Sequence, residues 1–151
     1  MKTLHDILNQ CERTRFATDA GTQMHKRLQW VTIEADKTSG DPDVVARISA
    51  KSELLPFFCA SAKTEVPIAG TIKGRFISRR IDRLVVNASD KTVSVLDYKT
   101  DTDKTINHDK YISQVREYIA LLHAVYPDYA IKGYILWTHD FSLEKIYVKW
   151  L

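Results

Sequence analysis

The stretch Val93–Thr100, VSVLDYKT, decides the fold and raises the question of function. Its first four residues favour a strand, and the opposite charges of Asp97 and Lys99 follow two positions apart. Because side chains alternate along an extended strand, Asp97 and Lys99 share one face while Tyr98 points to the other. The pattern predicts either a salt bridge at the strand end or a site that uses both charges.

The segments on either side of this stretch predict a mixed sheet. Many β-branched residues, with glycines between them, are found in the segment KTEVPIAGTIKGRFISRRIDRLVV. Together with VSVLDYKT, this segment predicts three consecutive strands in a meander. NHDKYISQVREYIALLHAVYP has helical spacing, possible caps at Asn107 or Asp109, and a stop at Pro127. The segments AIKGYILWT and LEKIYVKWL, joined by HDFS, predict two further strands.

The first part of the chain predicts helices. Thr18 and Asp19 precede AGTQMHKRLQWVTIEA, which favours a capped amphipathic helix from about residue 20 to 36. The segment KTSGDPD ends this helix, and the pattern of residues 43–58 predicts one or two short helices. The order helices, strands, helix, strands implies an α/β fold with a central mixed sheet flanked by helices.

Length and composition exclude several classes of protein. The 151 residues fit one domain, 1–151, and the charged start lacks the pattern of a signal peptide, so we expect a cytoplasmic location. Two cysteines are too few for a disulfide framework, a four-cysteine zinc site or a cysteine-ligated iron-sulfur cluster. Without an apolar run of about eighteen residues, no membrane partner is expected.

A second carboxylate lies in the preceding predicted strand, where Asp82 stands in RRIDRLVV. If the two strands pair through the NASD turn, Asp82 and Asp97 converge at one end of the sheet. Two carboxylates beside a lysine form a hard-oxygen site for Mg²⁺ or Mn²⁺, with an ammonium able to orient water or stabilise charge on a phosphate. That chemistry suits phosphodiester hydrolysis. The alternative is a salt bridge between Asp97 and Lys99 with Asp82 as a turn residue.

The local charge around Asp82 favours an anionic partner. The net charge is only +3, but KGRFISRRIDR carries five basic residues against one acid. We predict that the basic run contacts the phosphate backbone of DNA without reading sequence, through Lys73, Arg75, Arg79 and Arg80. The alternative is a solvated strand face.

Five motifs in order, GTQMHKRL, EVPIAG, GRFISRRIDRL, VLDYKT and QVREYIALL, cover about residues 20 to 125. This arrangement resembles the nuclease domain at the C-terminus of RecB and AddA helicase-nucleases, in the PD-(D/E)xK superfamily. The resemblance implies a restriction-endonuclease-like core and a Mg²⁺- or Mn²⁺-dependent deoxyribonuclease that acts in double-strand break processing and recombinational repair. Two positions depart from the pattern: Ile81 replaces the proline of the superfamily name, and Arg79 replaces a frequent glycine.

The resemblance also implies roles for individual residues. Asp82 and Asp97 become the metal-binding carboxylates, with the backbone carbonyl of Tyr98 as a further ligand, and Lys99 becomes the catalytic lysine. His25 corresponds to a histidine that contacts metal.

Three more positions match residues near the active site of these nucleases. Glu65 matches an acidic active-site residue, with a strand-edge charge as the alternative. Gln114 and Tyr118 lie on one helical face, where they would position the active-site strand or the DNA. Core packing is the alternative for Tyr118.

The helicase motor itself is absent, because the chain has no G-x-x-x-x-G-K-[ST] motif. We therefore expect a fragment of a larger helicase-nuclease, with the motor in the same chain or complex. One alternative is a stand-alone nuclease of CRISPR adaptation or mobile elements, and another is a non-catalytic module that binds DNA or a partner. Three aromatic residues near the end predict either strand packing or a stacking platform for bases: Trp137, Tyr147 and Trp150.

Overall fold

The computed structural model describes residues 3–148, with the backbone alone described for 9–20. Three α-helices, one 3₁₀ helix and seven strands are found in this part of the chain. In chain order they are α1 (Leu4–Gln29), β1 (Thr32–Ile33), β2 (Thr38–Ser39), α2 (Pro42–Ser49), the 3₁₀ helix (Ser52–Phe58), β3 (Lys63–Ile72), β4 (Arg75–Asn87), β5 (Thr92–Lys99), α3 (His108–Val125), β6 (Ala130–Trp137) and β7 (Ser142–Ile146). No described helix is both long enough and apolar enough to cross a membrane.

The central sheet has five strands in the order β3-β4-β5-β6-β7. The first three form an antiparallel meander, β5 and β6 are parallel, and β6 and β7 are antiparallel. Helix α3 connects the two parallel strands, because a parallel pair needs a long crossover. The predicted α/β class, the mixed central sheet, the meander and the final hairpin are therefore confirmed.

Each face of the sheet has its own core. On one face α3 packs on the sheet, with Val115, Ile119 and Leu122 among its buried residues. On the other face the end of α1, α2 and the 3₁₀ helix surround Leu96 and Tyr98 of β5. The alternation of VSVLDYKT thus sends its residues into two different layers.

The prediction for the first helix is wrong at both ends. Thr3 caps α1 through a capping box with Asp6, whereas Thr18 and Asp19 lie within the helix. The helix ends at Gln29, and Thr32–Ile33 pairs with Thr38–Ser39 as a small hairpin. The β-branched side chains of Thr32 and Ile33 favour extended backbone, which ends the helix well before residue 36. The predicted short helices within 43–58 are confirmed by α2 and the 3₁₀ helix.

Arg83, the last member of the basic run, lies in the core, unlike the four residues predicted to contact DNA. Its side chain is only 2% exposed, and its guanidinium lies 4.2 Å from the ring centroid of Phe58. It donates hydrogen bonds to the carbonyls of Leu28 (2.8 Å) and Phe57 (3.2 Å) and to the Tyr98 hydroxyl (2.8 Å). The Leu28 and Phe57 carbonyls lie at the ends of α1 and the 3₁₀ helix. At a helix end the carbonyls lack the amide of the following turn, and a cation is favourable there.

Candidate active site

Strands β4 and β5 separate at the predicted carboxylates. Their pairing runs from Asn87–Thr92 to Arg83–Leu96 and ends there. Beyond that point the Tyr98 amide donates to Asp82 Oδ2 at 2.8 Å, so a side-chain carboxylate replaces the next backbone partner. This separation makes room for Asp82 and Asp97 between two strands that are tightly paired elsewhere.

Asp97 carries the least satisfied atom in the site. The residue is 3% exposed, and its Oδ2 lies 3.0 Å from Lys99 Nζ, outside hydrogen-bond geometry. Among the described side chains, residues 3–8 and 21–148, Oδ2 is the only buried nitrogen or oxygen without a hydrogen bond. The Lys99 ammonium supplies a positive charge beside this oxygen, but no donor is aligned with it, which is uncommon for a buried carboxylate.

Asp82 is also buried, at 9% exposure. Burial, followed by the charge of Asp97, raises the pKa of Asp82 to about 8. The metal-free site therefore holds a proton at neutral pH, as expected for two carboxylates that share a desolvated space. A bound divalent cation would favour release of that proton.

We expect Asp82→Asn to stabilise the metal-free protein at pH 8. The raised pKa means that stability is lost as Asp82 ionises with rising pH, whereas the amide has no charge to desolvate and still accepts from the Tyr98 amide. The difference should be on the order of 1–3 kcal/mol at pH 8 and should shrink toward pH 4.

Urea denaturation of both proteins in EDTA from pH 4 to 8.5 measures this difference, and Asp36→Asn provides an exposed control. A variant that is less stable than the wild type at pH 8, with an unchanged pH dependence, would refute the assignment of the proton to Asp82.

His25 approaches the carboxylates from α1. Its Nε2 lies 3.2 Å from the Tyr98 carbonyl oxygen, and its Nδ1 lies 3.8 Å from Asp82 Oδ1. Two carboxylates, one carbonyl and one imidazole thus converge, and this donor set fits Mg²⁺ or Mn²⁺, with the imidazole favouring Mn²⁺. The described residues contain no ready-made group of three His, Cys, Asp or Glu ligands, and the Tyr98 carbonyl oxygen is a further donor beside His25.

Lys99 is held by groups from α3. Its Nζ lies 2.8 Å from Gln114 Oε1 and 4.3 Å from the centroid of the Tyr111 ring. Tyr118 is one turn beyond Gln114 and is 2% exposed, and burial raises the pKa of its hydroxyl above the usual range. The structure therefore brings both predicted positioning residues, Gln114 and Tyr118, to the site.

Tyr111 and Asp101 are site residues that the sequence analysis missed. The Tyr111 hydroxyl lies 2.9 Å from each carboxylate oxygen of Asp101, which also accepts from the Asn107 amide at 3.1 Å. The ring beneath Lys99 is thus fixed in place. Helical spacing places Tyr111 one turn before Gln114, but an aromatic residue at that spacing is equally typical of a buried helix face.

Glu65 lies beside the site without joining it. The register of β3 and β4 places Glu65 across from Asp82, where its backbone has a φ of 52°. Its carboxylate forms an ion pair with Arg80 at 3.8 Å, and no described hydrogen bond joins it to Asp82, Asp97 or Lys99. An active-site role for Glu65 stays a prediction.

The predicted DNA-contacting residues are divided between two faces and a turn. Arg75 and Arg79 point toward α3, where they lie 3.6 Å and 3.4 Å from Glu117. Lys73 lies in the turn between β3 and β4, and Arg80 is exposed. With the ion pair between Arg80 and Glu65, three of the four positive charges are therefore partly compensated within the protein.

The structure describes two of the three residues of the predicted stacking platform, Trp137 and Tyr147. Trp137 is buried and donates to Glu144 at 3.1 Å, which favours packing. Tyr147 is exposed, and Trp150 lies outside the described residues.

Comparison with known proteins does not add a family. No family model matches the chain, and no curated protein matches it. The features that bear on function are therefore the oxygen and nitrogen donors where β4 and β5 separate and the Lys99 ammonium fixed beside them.

Proposed function

We propose that this protein is a metal-dependent deoxyribonuclease with a restriction-endonuclease-like core. The observation that carries the proposal is the buried, unbonded Oδ2 of Asp97, which lies beside Lys99 and close to Asp82. A simple salt bridge at a strand end needs neither a second buried carboxylate nor a separated strand pair. Metal-dependent phosphodiester hydrolysis uses both carboxylates, the ammonium and the space between the separated strands.

The residues present can hold a divalent cation and handle a phosphate. Asp82, Asp97 and the Tyr98 carbonyl, with His25, would hold the cation, which when bound would polarise the scissile phosphate and acidify a water molecule. Lys99 donates to the attacking water or to a phosphate oxygen, where its charge stabilises the developing anion. Gln114 fixes the ammonium and so reduces the reorganisation needed during the reaction.

The proposed substrate is DNA without sequence preference, since contacts to phosphates carry no sequence information. The resemblance to the RecB and AddA nuclease domains supports a role in double-strand break processing, with a helicase motor in the same chain or complex supplying the strand. A stand-alone nuclease would use the same site residues.

The test of this proposal is cleavage of end-labelled single- and double-stranded DNA at low salt with Mg²⁺, Mn²⁺ or EDTA. We expect cleavage with either metal and none in EDTA. Asp97→Ala should lower the rate at least about 10³-fold, since about 4 kcal/mol of charge stabilisation would be lost. Asp36→Ala, which removes an exposed carboxylate, should cleave like the wild type.

The absence of a ready-made three-ligand group in the described residues favours one competing function, a DNA- or partner-binding module that keeps the fold. Binding without cleavage in either metal, together with unchanged Mn²⁺ affinity in Asp97→Ala measured by calorimetry, would favour this module and reject the nuclease.

A further inference from the structure

The hairpin β3–β4 extends beyond the rest of the sheet, starting at the candidate active site. β4 pairs with β3 from Arg75 to Leu84 but with β5 only from Arg83 onward. Residues 66–72 and 75–81 therefore form a two-stranded projection, which we call the arm. At about 3.3 Å per residue, the arm is roughly 23 Å long.

The arm is well defined along its length. Lys73 and Gly74 form its two-residue turn, with φ values of 51° and 77°. Positive φ at both positions is the type I′ pattern, whose twist matches that of the flanking strands. The tip is therefore a tight hairpin end.

The inner face of the arm is occupied by α3. Ile68 and Ile77 are buried there with Leu121. A Cβ at Gly70 would lie 2.8 Å from Leu121 Cδ2, so a side chain larger than glycine would disturb this contact. With Arg75 and Arg79 near Glu117, this face has both its packing and its charges matched.

The outer face of the arm is exposed along its whole length. Alternation places six residues there, each of them exposed: Pro67, Ala69, Thr71, Phe76, Ser78 and Arg80. Four are small or lack a long side chain, whereas Phe76 near the tip is 70% exposed and Arg80 lies two residues before Asp82. The outer face of the arm thus carries small side chains between the Phe76 ring near the tip and the Arg80 guanidinium near the candidate site.

We propose that the outer face of the arm binds the single strand of DNA that enters or leaves the site, with Phe76 stacking on a base and Arg80 contacting a phosphate. This inference rests on the proposed nuclease function. Arg80 is four positions after Phe76 along the strand, or about 13 Å, which corresponds to about four stacked nucleotides at ~3.4 Å each. That length is within the range of site sizes for single-strand binding.

Three observations favour a nucleic acid as the occupant. The face is continuous with the candidate site through β4, and the small residues along it allow a sugar-phosphate backbone to approach closely. Its exposed basic side chains are Lys73 and Arg80, and Arg80 stays 67% exposed although it lies 3.8 Å from Glu65. An exposed aromatic ring offers stacking that does not depend on base identity. A second copy of the chain would need a complementary apolar patch for Phe76.

The experiment is fluorescence anisotropy with a labelled 20-nucleotide oligo-dT in EDTA, where no cleavage interferes. Phe76→Ala should weaken binding about 5- to 150-fold, the range for loss of one base–aromatic stack. Phe76→Tyr keeps a stacking ring and should restore the affinity. Arg80→Gln should reduce the salt slope by about 0.7, as for one lost phosphate contact on a single strand.

Trp30→Ala is the matched control, because Trp30 is 70% exposed and lies outside the arm. It should bind like the wild type. Unchanged affinity in Phe76→Ala would overturn the arm proposal, as would loss of affinity only in Trp30→Ala. Self-association of the wild type would also overturn the proposal, if sedimentation shows that Phe76→Ala abolishes it without changing the affinity for DNA.

The arm proposal and the nuclease proposal fail in distinguishable ways. If the wild type cleaves DNA but Phe76→Ala binds normally, the arm proposal alone is wrong. If Phe76 controls binding but no metal supports cleavage, the arm proposal stands and the protein is a binding module.

Discussion

Lys99→Ala is expected to lower metal-dependent cleavage about 10³-fold while leaving single-strand affinity nearly unchanged. Removing one preorganised donor that acts on developing charge costs 10²- to 10³-fold in other enzymes. Lys99 lies at the upper end of this range because it is 2.8 Å from Gln114 Oε1 and is fixed over the Tyr111 ring. Single-turnover cleavage at saturating enzyme measures the effect on the chemical step.

Lys110→Ala is the matched control, since Lys110 is an exposed lysine on α3 and its loss changes the net charge equally. It should retain the wild-type rate. Circular dichroism must show that Lys99→Ala is folded, because Asp97 loses its only nearby cation among the described residues. A folded Lys99→Ala that cleaves like Lys110→Ala would exclude Lys99 from the reaction.

Arg83→Met is expected to lower the free energy of unfolding by about 3–5 kcal/mol. Methionine keeps an unbranched apolar stem but is shorter and donates nothing, so the carbonyls of Leu28 and Phe57 and the Tyr98 hydroxyl lose a buried partner. The Leu28 carbonyl keeps bonds from the Trp30 and Val31 amides, so the cost of about 1–3 kcal/mol for a buried group that loses its hydrogen bond applies to Phe57 and Tyr98. For a chain of this size the midpoint of thermal unfolding should fall by about 6–20 °C.

Two variants make the Arg83 prediction specific. Arg75→Met removes an exposed arginine from the same strand and should change stability by less than about 0.5 kcal/mol. Arg83→Lys keeps the charge but cannot reach several acceptors with one planar group, so its stability should fall between the wild type and Arg83→Met. If urea denaturation shows Arg83→Met and Arg75→Met to be equally stable, Arg83 does not join the helix ends to the sheet.

The sheet could be predicted from the sequence because its signals are local. Alternation and turn residues define the meander, and the same alternation predicts that Asp97 and Lys99 share a face. The bounds of α1 could not be predicted in this way. Its helical pattern overlaps Thr32–Ile33, and only pairing with Thr38–Ser39 decides where the helix ends.

Arg83 illustrates what a local pattern cannot show. In the sequence it is one of five basic residues in KGRFISRRIDR, and an arginine is rarely buried. Its burial depends on acceptors 26 and 55 residues away, at Phe57 and Leu28. Tyr111 was missed for a related reason, because its ring could be assigned to the core until Asp101 and Lys99 were seen on either side of it.

Tyr98 links these two parts of the molecule. Its amide and carbonyl contact Asp82 and His25 in the candidate site, while its hydroxyl contacts Arg83 beneath the sheet. In a mutational screen scored only by DNA cleavage, substitutions at Arg83 should therefore resemble substitutions of site residues. A parallel screen scored by protein abundance would separate the two groups, since Arg83 variants should be depleted in both, whereas Lys99 variants should be depleted mainly in the first.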